Sequence, residues 1–133
     1  MNDRYLCRAK RKNWRELPKE KWWVEGYYAY MQPYHYIMPK DNFDSWIEID
    51  EKTLCACTVL KDKNGKMIWE NEIIKCKCGI AVVVWDKSEW RIKWVKDNIW
   101  RKDLHFWVND ENEYGVEVIG SAIDNPELLE VEE

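Results

Sequence analysis

Hydrophobic and polar residues alternate along most of the chain, which is typical of β-strands with one buried and one wet face. The alternation is clearest at residues 45–50 and 90–95, while residues 79–85 form an unbroken apolar run that indicates a fully buried strand. Gly26 predicts a kink or bulge, and residues 99–108 fit either a strand or a short helix. Further strands are predicted at residues 5–9, 22–30, 34–38, 53–60, 67–74 and 117–120.

The strongest turn signal is the segment 62–66, Asp-Lys-Asn-Gly-Lys, because strand patterns flank it on both sides. An Asn-Gly pair tolerates positive φ at both central positions of a tight hairpin turn. Asn64 and Gly65 are therefore predicted to be structural turn residues without a chemical role. A second local signal, Pro126 opening residues 125–129, predicts a short helical turn near the C-terminus.

Aromatic content is the most unusual part of the composition. The 133 residues are 46% hydrophobic and 35% charged, which indicates a globular chain of one domain in size, and they include ten Trp and seven Tyr. Trp and Tyr favour half-buried positions and interfaces. Trp22 and Trp23 are neighbours in a predicted strand and should point to opposite faces. We predict a partner or subunit interface that includes Trp22, Trp23, Trp90, Trp94 and Trp100; the alternative is that these rings cover the core.

Charge is distributed unevenly about a net value of −4. Residues 1–24 hold eight Lys or Arg against three acids, and residues 110–133 hold nine acids and no Lys or Arg. Complementary ends can pair within or between chains. A basic N-terminal stretch also fits nucleic acid, although a solvated face is the more ordinary interpretation.

The sequence predicts a cytoplasmic protein. No apolar run reaches the roughly 18 residues of a membrane span, and the first residues lack the apolar stretch of a secretory signal. Five Cys in such a chain indicate reduced thiols rather than disulfides.

Two Cys-x-Cys pairs offer one alternative site. If strand register brought Cys55, Cys57, Cys76 and Cys78 together, four thiolates would suit tetrahedral zinc. Structural zinc sites usually space Cys by two to four residues around a turn, and Cys is a common core residue. We therefore expect no cofactor and treat the thiols as buried or half-buried, with zinc as the alternative.

No enzymatic motif stands out. The chain lacks a Gly-rich phosphate loop, a Gly-x-Ser-x-Gly elbow and a His-Glu-x-x-His helix. Its two histidines, His35 and His105, lie among aromatic and apolar residues, where structural roles are the ordinary interpretation. We expect a protein that is not an enzyme.

Several collinear blocks resemble the YopX family of small phage and prophage proteins. The blocks are residues 5–12 (YLCRAKRK), 23–28 (WVEGYY), 36–39 (YIMP), 49–54 (IDEKTL), 60–70 (LKDKNGKMIWE), 72–73 (EI), 83–86 (VVWD), 118–120 (VIG) and 125–129 (NPELL). The resemblance implies a mainly-β protein with a Src-homology-3-like small β-barrel in its C-terminal part, often assembled as a homo-oligomer. It brings no catalytic residues and no metal.

The resemblance also suggests how the chain is divided, and the chain differs from the usual family pattern at three positions. We expect an N-terminal β-strand arm at residues 1–50 and the small barrel with its acidic tail at residues 51–133, packed as one unit. The family usually has Gly where this chain has Val59, which predicts that no positive φ is needed there, whereas Asn71 still suits the left-handed region. Glu72 retains a carboxylate at the entry to the barrel.

These observations favour a non-enzymatic phage or prophage accessory protein that self-associates and acts through protein–protein contacts. One alternative is an inhibitor of a host defence system that binds a host protein or sequesters its nucleic acid or nucleotide ligand. A second alternative is a nucleic-acid-binding protein that uses the basic N-terminal arm.

Overall fold

The computed structural model describes residues 5–42, 44–95, 102–109 and 111–130. Ten strands dominate the described chain, so the mainly-β prediction is confirmed. The strands are β1 (Leu6–Lys10), β2 (Trp23–Met31), β3 (Tyr34–Pro39), β4 (Ile47–Glu48), β5 (Cys55–Lys61), β6 (Met67–Trp69), β7 (Glu72–Cys76), β8 (Gly79–Asp86), β9 (Glu89–Trp94) and β10 (Glu117–Ser121). One short α-helix, α1 (Leu104–Trp107), and 3₁₀ turns at Trp14–Glu16, Lys19–Lys21, Glu51–Thr53 and Pro126–Leu129 complete the fold.

The strands hydrogen-bond in the order β4-β3-β2-β1-β5-β6 in one sheet and β10-β7-β8-β9 in the other. The chain divides into two compact units, Met1–Cys57 and Thr58–Glu133, so the division lies seven residues beyond the position suggested by the sequence. Within the described residues, no helix is long and apolar enough to cross a membrane.

The N-terminal unit, for which a β-strand arm or subdomain was expected, is a curled antiparallel sheet with its own core. Its curl brings the end of β1 to the end of β4, where Arg11 bridges Ile49 and the Asp50 N–H donates to the Lys10 carbonyl at 2.9 Å. The result is a half-barrel. The residues buried inside it are Ala9, Val24, Ile37 and Ile49.

Gly26 is required by a close backbone contact rather than by a bulge. It stays in register between Cys7 of β1 and Pro39 of β3. A Cβ at this position would lie 2.0 Å from the Met38 carbonyl oxygen, so no larger residue fits. The bulge that was one of the two predictions for Gly26 is therefore absent, and the need for glycine comes from this close backbone contact.

The C-terminal unit packs the β7–β8–β9 meander, β10 and α1 around a second core. Ile74, Val83 and Ile92 come from successive strands, and Leu104 and Trp107 enter from α1. In the ambiguous region 99–108, residues 104–107 are helical, whereas Asp103 forms a β-bridge with Arg91. The predicted turn at Pro126 is confirmed, with Pro at the first helical position.

The 62–66 hairpin is present, but its turn differs from the predicted one. Only Gly65 has positive φ, at 78°, because the Asp62 carboxylate organises the loop instead. Its Oδ1 accepts from the N–H groups of Asn64 and Lys66, both at 2.9 Å. The strand predicted at residues 67–74 is divided in two by a turn at Asn71, whose φ of 68° confirms the left-handed expectation.

Val59 contradicts its prediction. Its φ is 69°, so this position does adopt the left-handed conformation although a β-branched residue occupies it. Next to it, the Thr58 hydroxyl donates to the Ile68 carbonyl at 2.6 Å and accepts from the Leu60 N–H at 3.1 Å. These hydrogen bonds stabilise the local backbone conformation, although the positive φ of Val59 is strained.

Candidate functional site

Exposed aromatic side chains concentrate on the β2–β3 hairpin of the N-terminal unit. Among the described residues, eight large hydrophobic side chains are exposed, and five belong to this hairpin or to the residue just before β4. These five are Tyr28, Tyr30, Met31, Tyr34 and Trp46, which are 38–59% exposed. The strand register divides them between two faces of the hairpin, with Tyr28 and Tyr30 on one face and Met31 and Tyr34 on the other.

Three rings form what we call the outer aromatic row: Tyr34, Tyr36 and Trp46. The Tyr36 ring lies 6.4 Å from Tyr34 and 5.7 Å from Trp46 between centroids. Tyr34 and Tyr36 share a face because they alternate along β3, and Tyr36 pairs with Glu48 of β4. The rings offer a partly exposed, mutually supported apolar surface.

A shallow groove borders this row. Its volume is about 830 Å³, and Leu17, Trp23 and Ile47 supply its apolar lining. Lys12 and Glu48 line the groove and also border the row. The Lys12 ammonium lies 5.6 Å from the centre of the Tyr34 ring, and Glu48 pairs with Tyr36 across β3 and β4. The row and the groove are therefore parts of one surface.

Lys12 is held in place by Glu48. Its Nζ donates to Glu48 Oε2 at 2.7 Å, and this hydrogen bond and the carboxylate charge raise the pKa of Lys12. The cation at the edge of the aromatic row is thus charged throughout the physiological pH range.

The opposite face of the hairpin carries a hydrogen-bonded cluster centred on His35. Its Nδ1 lies 2.6 Å from the Tyr28 hydroxyl, its Nε2 lies 2.7 Å from Glu51 Oε2, and Tyr30 stacks on its ring at 4.8 Å. A neutral His35 protonated at Nε2 satisfies both bonds, since Nε2–H donates to Glu51 and Nδ1 accepts from Tyr28. Both ring nitrogens therefore have partners.

In this tautomer the Tyr28 hydroxyl donates its hydrogen bond to His35. Desolvation raises the pKa of Tyr28, and the charge of Glu51 raises it further. Both effects favour the protonated phenol, which is the form that can donate this hydrogen bond. The arrangement ties β2, β3 and the Glu51–Thr53 turn together.

Trp22 and Trp23 surround a buried lysine instead of pointing to opposite faces. Trp22 ends a 3₁₀ turn and only Trp23 belongs to β2, so the expected alternation does not apply. The Lys10 ammonium lies 3.8 Å from the Trp14 ring centre, 4.4 Å from Trp22 and 5.6 Å from Trp23, with Lys10 only 2% exposed. We call these four residues the Lys10 cage. Both predicted interface rings are half-buried in it.

The other predicted interface tryptophans differ in their surroundings. Trp94 is 6% exposed and packs edge-to-face on Trp107 at 5.2 Å, so it is a core residue and its assignment to an interface is wrong. Trp90 is half-buried and pairs across β8–β9 with Trp85, which is 55% exposed. Trp100 lies outside the described residues.

The four cysteines of the zinc alternative differ in their exposure. Cys55 and Cys57 are buried on β5, and Cys76 is buried at the end of β7, but Cys78 is exposed in the following turn. In the described part of the chain, no three His, Cys, Asp or Glu side chains are grouped so as to hold a metal ion. Burial raises the pKa of the Cys76 thiol.

The outer aromatic row was not predicted from the sequence, because only tryptophans were considered as interface residues. A usable signal exists in the chain: Tyr alternates with other residues on both strands of one hairpin, at positions 28 and 30 and at 34 and 36. Such spacing places pairs of rings on common faces. Trp46 has no comparable local signal, since only the curl of the sheet brings it beside Tyr36.

Fold and surface together define a class: a mainly-β protein of two compact units, the first of which exposes an aromatic surface with a charged border. The sequence pattern of the YopX protein family matches residues 10–130 of this 133-residue chain. The chain therefore belongs to the YopX protein family. None of the curated proteins compared with the chain matches it.

Proposed function

We propose that the protein is a non-catalytic, homo-oligomeric binding protein, phage- or prophage-encoded and acting in the cytoplasm of a bacterial host. Self-association uses the outer aromatic row of the N-terminal unit. The same rigid β framework then presents its remaining surface to a protein partner. The family resemblance supports both the origin and the homo-oligomer.

One observation carries the proposal, namely the exposure of the outer aromatic row. Tyr34 is 47% exposed and Trp46 is 44% exposed, although both rings pack against Tyr36. Each ring therefore keeps a large apolar area that a second subunit could remove from water. Tyr and Trp are enriched at the centres of such interfaces, where a charged rim of the Lys12–Glu48 kind surrounds them.

A protein partner fits the N-terminal cations better than nucleic acid does. Lys10 is enclosed in its cage, Lys12 is paired with Glu48, and the Arg11 guanidinium donates to the Lys21 carbonyl at 2.6 Å. Cations engaged in this way have less capacity to neutralise phosphates, which is the main source of nonspecific affinity for nucleic acid.

Sedimentation velocity over a range of concentrations tests the self-association. We expect the wild-type protein to sediment as a multiple of the 16.3 kDa chain, and the Tyr34→Ser/Trp46→Ser variant to sediment as a monomer. Trp85→Ser is the matched control, because it removes an exposed Trp, 55% against 44% for Trp46, from the C-terminal unit. Monomeric wild-type protein at all concentrations, or equal dissociation by the control, would refute the proposal.

A further inference from the structure

A basic groove lies on the outer face of the β8–β9 hairpin in the C-terminal unit. Its volume is about 450 Å³, and four cations line it against one acid, Asp86. The cations are Lys87, Arg91, Lys93 and Lys102. This excess of positive charge stands out in a chain whose acids outnumber its Lys and Arg by 25 to 21.

Strand geometry aligns two of these cations. Arg91 and Lys93 are two residues apart on β9, so both point to the same face, roughly 7 Å apart along the strand. They lie opposite Val84 and Val82 of β8, and Val84 contributes to the apolar lining of the groove. Glu89 pairs with the Arg91 guanidinium and offsets its charge, so the excess positive charge of the groove comes from the lysines.

The other two cations, Lys87 and Lys102, lie outside β9. Lys102 belongs to a segment that pairs with the β9 edge, since its carbonyl accepts from the Ile92 N–H at 2.8 Å. Lys87 occupies the hairpin turn with φ of 53°, followed by Ser88 at 62°. A turn with two such angles favours Asn or Gly, so turn geometry does not account for a lysine here.

We propose that this groove binds a small anion that carries two or more phosphate groups. Several cations on one concavity favour a ligand with multiple negative charges, and the three lysines supply this charge beside the Arg91–Glu89 pair. The volume falls within the range of small-molecule sites, which suits a compact phosphorylated ligand. The site lies in a different unit from the outer aromatic row and goes beyond the proposed function.

Isothermal titration calorimetry with tripolyphosphate, at low and at physiological salt, tests the site. We expect binding to the wild-type protein that weakens at least tenfold in Lys87→Gln/Lys93→Gln and falls as salt rises. Lys75→Gln is the control, since it removes an exposed β7 lysine from the same unit without altering the groove. The control should bind as the wild-type protein does.

Three results would overturn the inference. The first is no heat of tripolyphosphate binding at low salt, and the second is an equal loss of tripolyphosphate affinity in the Lys75→Gln control. The third is binding of sulfate as tight as that of tripolyphosphate. Tighter binding of a single-stranded oligonucleotide, lost in the same double variant, would replace the small ligand with a nucleic-acid backbone. Sedimentation of the double variant separates this test from the proposed function, because the oligomeric mass should not change.

Discussion

The carboxylate of Asp62 accepts a hydrogen bond from the Val118 N–H at 3.0 Å, linking a hairpin turn to a strand 56 residues away. The other carboxylate oxygen of Asp62 serves the turn itself, and the neighbouring Lys63 N–H donates to the Val116 carbonyl at 2.8 Å. Asp62 is 3% exposed, so these backbone donors replace the water it loses. The turn that appeared to be local is therefore a junction within the C-terminal unit.

Removal of this junction should destabilise the protein strongly. In Asp62→Ala, three backbone N–H groups lose a charged acceptor, and we expect the free energy of unfolding to fall by about 3 kcal/mol. Urea denaturation followed by circular dichroism measures the change. Asp44→Ala, at an exposed acid, should differ from the wild-type protein by less than about 0.5 kcal/mol. Equal effects of the two variants would refute the role of Asp62.

Replacement of Val59 by glycine should stabilise the protein. The positive φ of Val59 strains a β-branched residue, whereas glycine adopts it freely, and the side chain is 45% exposed and loses little burial. Because glycine also raises the entropy of the unfolded chain, we expect a net gain of about 1 kcal/mol. Val82→Gly, in β8 and outside the positive-φ positions, should instead lose stability. Destabilisation by both variants would contradict the strain at Val59.

The strands were predictable from sequence because burial of one sheet face imposes alternation on the residues themselves. The unbroken apolar run at residues 79–85 and the Trp90–Trp94 alternation both mark strands that exist at those positions. Trp94 itself shows the limit of this reasoning. Alternation places it on a face, but only the packing of α1 decides that this face is in the core.

The candidate surface could not be predicted in the same way, because it depends on contacts distant in sequence. Trp46 meets Tyr36 only where β3 and β4 pair, and Trp14 reaches Lys10 only because two 3₁₀ turns fold residues 14–22 back over β1. Val59 is instructive for another reason. A β-branched residue disfavours positive φ. The hydrogen bonds of the Thr58 side chain and the pairing of the surrounding strands outweigh this preference at Val59.

The Lys10 cage should stabilise the N-terminal unit through both charge and packing. Lys10→Met keeps most of the buried stem and removes the cation, so we expect a loss of about 1–2 kcal/mol. Lys10→Ala also leaves a cavity, and its loss should reach about 2–4 kcal/mol. Chemical denaturation monitored by tryptophan fluorescence measures both values.

Lys19 provides the matched control for the cage. Its ammonium lies 5.7 Å from the Trp22 ring centre, but its side chain is exposed. Lys19→Met should therefore change the free energy of unfolding by less than about 0.5 kcal/mol. A Lys10→Met variant as stable as the wild-type protein would show that the three rings need only the lysine stem and not its charge.

Burial of the Cys76 thiol should make stability depend on alkaline pH. Desolvation raises the pKa of Cys76 in the folded state, so the unfolded thiol, with a pKa of about 8.5, ionises first. This contribution to stability is therefore complete below about pH 8.5 and is lost as pH rises further. The decrease in urea midpoint from pH 7 to pH 9.5 should be smaller in Cys76→Ala than in the wild-type protein. Cys78→Ala, at an exposed thiol, should retain the wild-type decrease, and a Cys76→Ala decrease equal to it would refute the assignment.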